Sequence, residues 1–215
     1  MNQYFTNNTS LKSKLKVLNY SYNEYNISLK SDLGVFSKDK IDLGSQTLLE
    51  SYFINGRKNV KVLDVGCGYG LLGISLAKIM NCDVDMIDVN KRAIHLCKMN
   101  IKENKVNAKV WESDVYENIK DKYDVIITNP PIKAGKKIYE KIINESFNYL
   151  KENGELWFVM RNNHGVKTIH KNLKKTKNSE IMIKNKGFYV IRAKCAWQVM
   201  CKLVRILNWS YIFSC

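Results

Sequence analysis

The chain has 215 residues, of which 45% are hydrophobic and 26% charged, proportions typical of an ordinary globular protein. This length allows one well-buried domain and argues against two. Lysine and arginine outnumber aspartate and glutamate and give a net charge of +15, which favours a polyanionic partner such as nucleic acid.

Cysteine and histidine give no sign of a metal site. The six cysteines include no CxxC pair, and the three histidines form no ligand pattern with them, so we expect reduced thiols in a cytoplasmic protein. The polar start, MNQYFTNNTSLKSK, lacks the apolar core of a secretory signal. The apolar last stretch, 196–215, carries Lys202 and Arg205 near its middle. We interpret it as a docked amphipathic helix or a non-native extension and expect no membrane partner.

The first predicted element is a β-hairpin, in which residues 16–29 form two short strands around an Asn-Glu-rich turn. From residue 60 onward, β-branched runs alternate with helical patterns. In chain order these are VKVLDV, LLGISLAKIM, VDMIDV, KRAIHLCKMNIKEN, AKVWE, YDVIITN, KKIYEKIINESFNYLKE, GELWFVM and a basic helix near 166–177. EIMIK and FYVIRAK follow, joined by a tight NKG turn, and must be antiparallel. The alternation predicts an α/β fold, with a mostly parallel sheet covered by helices on both faces.

A glycine cluster, VLDVGCGYGLLG, lies between the first parallel strand and the next helix. Gly66, Gly68 and Gly70 allow positive φ angles and a close approach of a ligand to the backbone. The start of the helix offers free N–H groups to that ligand. Gly68, Gly70 and Gly73 also fit the GxGxxG pattern of dinucleotide sites, with Asp88 about 20 residues further on, where a ribose-binding acid belongs.

The glycine cluster alone fits either a nicotinamide dehydrogenase or an S-adenosylmethionine enzyme, because both ligands carry an adenosine ribose. A turn that binds no ligand is the third interpretation. Asp64, close to the turn, favours S-adenosylmethionine, because its carboxylate repels a pyrophosphate but suits the ammonium group of a methionine. Asp114, after the third parallel strand, fits a carboxylate near the adenine amine, or else a helix N-cap or loop acid.

The second motif is NPPI, residues 129–132, at the end of the fourth parallel strand. We expect this strand beside the first, so that Asn129 faces the crevice where ligands bind. The Asn129 side-chain carbonyl and the Pro130 backbone carbonyl accept the two hydrogens of a flat amine, and the rigid Pro130-Pro131 corner fixes both acceptors. Methyl transfer then depends on positioning and needs no strong base. The alternative is a structural Asn at a proline-terminated strand.

Together these motifs resemble the class I S-adenosylmethionine-dependent methyltransferases, and more narrowly the RsmC-like small-domain group. That group methylates the exocyclic amine of guanine in small-subunit ribosomal RNA. The match covers about residues 30–194 and rests on SDLGVFSKDKIDLGSQTLLE, VLDVGCGYGLLG, and TNPPIKAGK followed by a helix and GELWFVM. It implies a Rossmann-like, doubly wound, seven-stranded, mostly parallel sheet with an antiparallel final strand, preceded by a short N-terminal β-hairpin. A single methyltransferase domain is expected over 1–195, with 1–55 as hairpin and lead-in and 196–215 as an apolar tail.

The resemblance also implies roles for particular residues. Asn129, Pro130 and Pro131 would be catalytic, and Phe36 and Ser37 would lie near the cofactor or the target base. The expected ligands of S-adenosylmethionine are Asp64, Gly66, Gly68, Gly70, Asp88, Asp114 and Asn129. The expected substrate-binding residues are Phe36, Ile132, Lys133, Lys136 and Lys137.

Two departures from the group limit what the resemblance carries over. Ile132 stands where many related enzymes have an aromatic residue that stacks on the flat target, so either Phe36 stacks instead or the substrate differs. The full-length RsmC enzyme also has an additional N-terminal domain without a counterpart here, so the target nucleotide is not transferred.

Four lysines, Lys133, Lys136, Lys137 and Lys141, follow the NPPI corner and form what we call the basic rim. A phosphate backbone passes such a rim when a base enters the pocket, so RNA contact and steep salt dependence are expected. A second lysine run, within 171–177, is interpreted as a solvated face.

The sequence therefore predicts a methyltransferase acting on an exocyclic amine of RNA, with guanine N2 of small-subunit ribosomal RNA as the substrate. The expected partner is ribosomal RNA or the small ribosomal subunit. A protein glutamine N-methyltransferase is the first alternative, since it uses the same acceptor geometry. A DNA adenine methyltransferase and a non-catalytic, S-adenosylmethionine-binding ribosome-assembly factor are the others.

Overall fold

The computed structural model describes residues 12–195, except the side chain of Cys195. The predictions for the apolar tail and for the first 11 residues lie outside this range. The strands are β1 (Lys16–Tyr22), β2 (Tyr25–Ser31), β3 (Lys61–Val65), β4 (Asp83–Asp88), β5 (Ala108–Glu112), β6 (Tyr123–Thr128), β7 (Leu150–Arg161), β8 (Lys177–Asn185) and β9 (Phe188–Cys195). The helices are α1 (Leu43–Asn55), α2 (Leu71–Met80), α3 (Lys91–Asn104), α4 (Lys136–Glu145) and α5 (Val166–Thr176).

Seven strands form one sheet in the order β5-β4-β3-β6-β7-β9-β8. Neighbours from β5 to β7 are parallel. The last strand, β9, is antiparallel to both β7 and β8. The separate hairpin β1-β2 precedes the sheet. These observations confirm the predicted fold, including the parallel pairing of β6 with β3.

Both faces of the sheet are covered, as the continuous apolar runs of its central strands require. Val62 of β3 packs in a cluster with the hairpin and helices α1, α2 and α3. The next residue, Leu63, packs in a second cluster that includes α4 and α5. Successive side chains of a strand point to opposite faces, so the two clusters form the two halves of the core.

Helix α1 was not predicted, because the lead-in segment lacks a clear apolar stripe. Its buried side includes Leu48, Leu49 and Tyr52, but also the small residues Ser45 and Ser51. Burial of polar and apolar residues together hides the helical period from a sequence pattern. The helix begins where the Asp42 side chain accepts a hydrogen bond from the Ser45 N–H group.

The helix predicted to continue through residue 152 is shorter than expected. Helix α4 ends at Glu145, a 3-10 turn covers Ser146–Asn148, and β7 begins at Leu150. Leu150 pairs with Tyr123 at the start of β6. Pairing across the sheet therefore overrides the helical preference of this segment, and the prediction for residues 150–152 was wrong.

Candidate active site

A cavity of about 690 Å³ lies at the carboxyl ends of β3, β4, β6 and β7. This is the edge of an open α/β sheet where ligands bind, and the volume is within the usual range for small-molecule sites. We call it the cofactor cavity. Its walls include predicted site residues from five segments of the chain: Phe36, Gly66, Gly68, Asp88, Asp114, Asn129, Pro130, Pro131, Ile132 and Lys133.

The turn after β3 leaves open space in front of its backbone. Gly66 and Gly68 have φ angles of 71° and 57°, which favour glycine. Among the described residues, a Cβ on Gly68 would meet no atom within 4 Å, and one on Gly66 would meet only Pro131 Cδ, at 3.9 Å. The backbone N–H groups of Gly66 and Cys67 donate to the Ile87 carbonyl, which ties the turn to β4. The two glycines thus form a cradle that a ligand fits.

Gly70 does not line the cofactor cavity. It is the N-cap of α2, with a φ angle of 96°. A Cβ here would lie 2.7 Å from Cys97 Sγ and 2.8 Å from Ile74 Cδ1. Its position favours a role in shaping the turn and in close packing, while direct contact with a cofactor stays a prediction.

Asp88 ends β4 and lines the cofactor cavity. One of its oxygens accepts the Gly68 N–H and the other accepts the Asn90 N–H, each at 2.8 Å. Burial raises the pKa of this carboxyl, and the same two N–H donors oppose that rise. Each carboxylate oxygen has a further lone pair, so Asp88 can also accept hydrogen bonds from the hydroxyls of a ribose.

Asp64 is fully buried in β3, outside the set of residues that line the cofactor cavity. Its Oδ2 accepts the Gly73 N–H at 2.9 Å, while Oδ1 has no hydrogen-bond partner among the described residues. Burial raises the pKa of this carboxyl to about 7, with a smaller contribution from the charge of Asp88. This placement favours a structural role, in which Asp64 holds the first turn of α2 through Gly73, and the predicted contact with a cofactor ammonium is untested.

Asp114 is exposed and lines the cofactor cavity after β5. Among residues 12–195 no α-helix begins there, so the N-cap alternative does not apply. Its carboxylate is open to solvent, and contact with the adenine amine stays a prediction.

The Asn129 side chain is held in one orientation. Its Nδ2 donates to Asp42 Oδ2 and to Ser45 Oγ, both at 2.9 Å. A carboxylate only accepts hydrogen bonds, so the nitrogen of the amide must face Asp42 and the oxygen faces the other way. Asp42 and Ser45 also line the cavity, and burial together with the charge of Asp42 raises the pKa of the neighbouring Tyr69 phenol. Sequence reasoning missed Asp42 and Ser45, although the quoted DLGSQ segment contains both.

Aromatic and basic residues also line the cavity. Phe36 lines the cavity and is 48% exposed, which leaves its ring face available to a flat ligand. Arg161 and Phe188, both missed by sequence reasoning, also line the cavity, with the guanidinium carbon 4.5 Å from the ring centroid. The sequence pattern gave little reason to select them as site residues, because each lies at the end of an otherwise regular strand.

The basic rim lies next to the cavity. Lys133 is exposed and lines it, whereas Lys136 and Lys137 are exposed at the start of α4 without lining it. Lys136 also lies 3.7 Å from Glu140 of the same helix. The structure therefore brings Lys133 to the site and leaves Lys136, Lys137 and the half-buried Lys141 outside the cavity lining.

Two other features are absent from the described part of the chain. Residues 12–195 contain no cluster of three or more histidine, cysteine, aspartate or glutamate side chains suited to a metal ion. Nor does any helix in that range have the length and apolarity to cross a bilayer.

Comparison with known proteins relates the chain to methyltransferases, both by a family model and by individual relatives. The family model described as methyltransferase small domain matches residues 26–192. YbxB, an uncharacterized protein of Bacillus subtilis, is 37% identical over 196 residues, which cover 89% of this chain and 97% of YbxB. The ribosomal RNA small subunit methyltransferase C of Buchnera aphidicola (subsp. Cinara cedri) is 41% identical over 172 residues, which cover 78% of this chain and 49% of that protein.

The fold also matches a solved structure, the T. thermophilus 16S rRNA N2 G1207 methyltransferase (RsmC) in complex with AdoMet and guanosine. The TM-score is 0.76 at 22% identity, covering 86% of this chain and 52% of the other. The chain therefore spans about half the length of these ribosomal RNA methyltransferases, and nearly all of YbxB.

Proposed function

The chain belongs to the methyltransferase small-domain family and is an S-adenosylmethionine-dependent methyltransferase, and on this premise we propose that it methylates an exocyclic amine of RNA. The best-supported substrate is guanine N2 of small-subunit ribosomal RNA. Relatives named as small-subunit ribosomal RNA methyltransferases share 33–41% identity with the chain, and the RsmC protein of similar fold is a 16S rRNA N2 G1207 methyltransferase. This substrate would be met in the cytoplasm.

The observation that carries the proposal is the fixed orientation of Asn129. Both hydrogens of its amide are engaged by Asp42 and Ser45, so its carbonyl oxygen is the atom left for a ligand in the cavity. Beside it, the Pro130 backbone carbonyl is a second acceptor. Two rigid acceptors suit a group with two N–H donors, such as the exocyclic amine of a base.

Bound S-adenosylmethionine supplies an electrophilic methyl group. The residues of the chain act by positioning: Asn129 and Pro130 hold both amine hydrogens and so direct the nitrogen lone pair at the methyl carbon. As the N–C bond forms and the C–S bond breaks, positive charge moves onto the nitrogen, and both carbonyl oxygens stabilise it. The methylated nitrogen then releases one proton to water, so no strong general base is needed.

The surface of the site supports a nucleic acid rather than a small substrate. The net charge of +15 and the exposed lysines of the basic rim favour a polyanion next to the cavity. The exposed ring of Phe36 offers the stacking surface that Ile132 lacks. A base turned out of its RNA strand would then lie between Phe36 and the two carbonyls.

Transfer of a labelled methyl group from S-adenosylmethionine tests the proposal. Three pools are compared: small ribosomal subunits from cells lacking the gene, RNA extracted from those subunits, and protein extract. We expect label in an RNA pool, recovered as N2-methylguanosine by mass spectrometry. Asn129→Ala should lower the rate about 100-fold to 1000-fold, to a residual level that can still be measured, whereas the matched control Asn144→Ala, an exposed position of α4, should leave it unchanged.

The other outcomes are equally informative. Label in protein alone would refute RNA as the substrate and favour the glutamine amide. If no pool is labelled although the protein binds S-adenosylmethionine, the catalytic proposal fails and a non-catalytic assembly role takes its place.

A further inference from the structure

We propose that Asp42 and Ser45, at the start of α1, are positioning residues that set the catalytic orientation of Asn129. The inference rests on the proposed function, since it assigns Asn129 the role of accepting a hydrogen bond from the substrate amine. It concerns residues for which neither the sequence motifs nor the comparisons indicate a role.

The contacts at this point join two distant parts of the chain. Asp42 is the N-cap of α1, and its Oδ2 accepts the Ser45 N–H at 2.8 Å in addition to the Asn129 amide. Ser45 Oγ accepts the second amide hydrogen. An amide nitrogen carries two hydrogens, so the pair leaves it no free donor.

This arrangement decides which end of the amide faces the substrate. The two ends of an Asn side chain have nearly the same shape, so packing alone does not select one. A flipped Asn129 would bring its carbonyl oxygen against the Asp42 carboxylate and turn two N–H donors towards an amine, which is itself a donor. Asp42 excludes that state because it cannot donate a hydrogen bond.

The charge of Asp42 adds a second effect. A carboxylate that accepts the amide hydrogen polarises the amide and strengthens its oxygen as an acceptor. Asp42 is in turn stabilised at the N-terminus of α1, where the helix dipole favours an anion. The hydrogen-bond chain therefore runs from the α1 terminus through Asn129 to the amine, where positive charge develops during transfer.

The start of α1 is held firmly by its neighbours, so Asp42 can fix the position of the Asn129 amide. Gly44 packs so closely on Phe188 that a Cβ would lie 2.7 Å from its ring. Asn185 donates to Thr47 Oγ1 at 3.3 Å, and the Ser45 residue is only 6% exposed. These contacts connect α1 to β8 and β9, so Asp42 has little freedom to follow a displaced Asn129.

Two substitutions of Asp42 separate this role from helix capping. Ser and Asn are both good N-caps, so Asp42→Ser and Asp42→Asn should keep α1 intact. Ser is too short to reach the Asn129 amide, whereas Asn keeps an acceptor oxygen and lacks the charge. With extracted small-subunit RNA as the probe, we expect kcat to fall about 100-fold in Asp42→Ser and about 10-fold in Asp42→Asn. The melting temperature and the Kd for S-adenosylmethionine should stay close to those of the parent protein.

A double-mutant cycle distinguishes positioning from a purely structural role, because it compares the effect of Asp42→Ser on kcat with and without the Asn129 side chain. In the Asn129→Ala background, Asp42→Ser should have no further effect on kcat, because Asp42 acts through Asn129. Asp39→Ser, an exposed aspartate of the same segment, is the matched control and should leave kcat unchanged. Additive losses, or an unchanged kcat in Asp42→Ser, would overturn the inference.

A measurement without any substrate keeps this inference distinct from the proposed function. In protein labelled with nitrogen-15 at asparagine, the Asn129 side-chain resonances are assigned by their loss in Asn129→Ala. Their two hydrogens should exchange slowly with water, and Asp42→Ser should speed that exchange at least several-fold. Fast exchange in the parent protein, or no change in the variant, would refute the inference even if RNA is methylated. Slow exchange that Asp42→Ser accelerates, without methylation of any pool, would refute the proposed function alone.

Discussion

Replacing Asp64 by Asn should stabilise the ligand-free protein at neutral and higher pH. Asp64 is fully buried, its Oδ1 has no hydrogen-bond partner among residues 12–195, and burial raises its pKa from 3.8 to about 7. A carboxyl whose pKa is higher in the folded state binds its proton more tightly there. The folded protein therefore loses stability as the pH rises from about 4 to about 7. Asn has the same shape and no charge, so Asp64→Asn removes this loss.

The size of the effect follows from the shift. The pKa of Asp64 rises by about 3 units, and each unit corresponds to about 1.36 kcal/mol, which gives an upper limit of about 4 kcal/mol at pH 8. For a chain of this length, that limit corresponds to a rise in melting temperature of about 10 °C. Near pH 4 the difference should be close to zero, because the protonated Asp64 carboxyl and the amide that replaces it are both neutral and have nearly the same shape.

Calorimetry of both proteins between about pH 4 and pH 8 measures the difference directly. The exposed carboxylate Glu117, changed to Gln, is the control, and its effect on melting temperature should not grow with pH. A difference between Asp64→Asn and the parent that stays constant across this range would refute the reasoning. Titration calorimetry of both proteins with S-adenosylmethionine then tests the predicted ammonium contact, which requires weaker binding by the variant.

Three further predictions concern ligands. Asp88→Asn should weaken S-adenosylmethionine about 10-fold to 100-fold in titration calorimetry, because hydrogen bonds to a charged group are lost. Joint replacement of Lys133, Lys136 and Lys137 by Ala should lower the slope of log Kd for RNA against log salt by about 2, without changing S-adenosylmethionine binding. Phe36→Leu should reduce kcat/KM for RNA at least about 5-fold through loss of stacking, with the cofactor Kd unchanged; equal activity would exclude Phe36 as the stacking residue.

The elements from β3 to α3 were predictable because local pattern and tertiary environment agree there. VKVLDV is buried on both sides, as an apolar β-branched run suggests, and Asn104 and Lys105 end α3 where the helical period stops. The glycine cluster predicted positive φ angles at Gly66 and Gly68, and the structure has them, at 71° and 57°. At these positions the sequence pattern alone is enough to predict the local backbone structure.

The site was only partly predictable because its supports come from segments without a pattern. Asp42 and Ser45 contact Asn129 across 87 and 84 residues of chain, and no local spacing connects them. Phe188 reaches the cavity because β9 inserts between β7 and β8, a pairing order that the short NKG turn does not specify. Asp64 was predicted to contact the cofactor ammonium, which stays a prediction, and its complete burial can be recognised only from the packing around it.

The docking of α1 against the last two strands has a consequence for how the enzyme is made. Asn185 bonds to Thr47 across 138 residues, and contacts that close such long loops form late in folding. On the ribosome, β3 to β6 emerge complete with the glycine turn and Asn129, while the segment that braces α1 is still unsynthesised. A nascent chain that ends before β8 has Asp42, Ser45 and Asn129 but lacks the Phe188 and Asn185 contacts that hold the start of α1, so we expect the amide to be firmly oriented only after these last two strands are made.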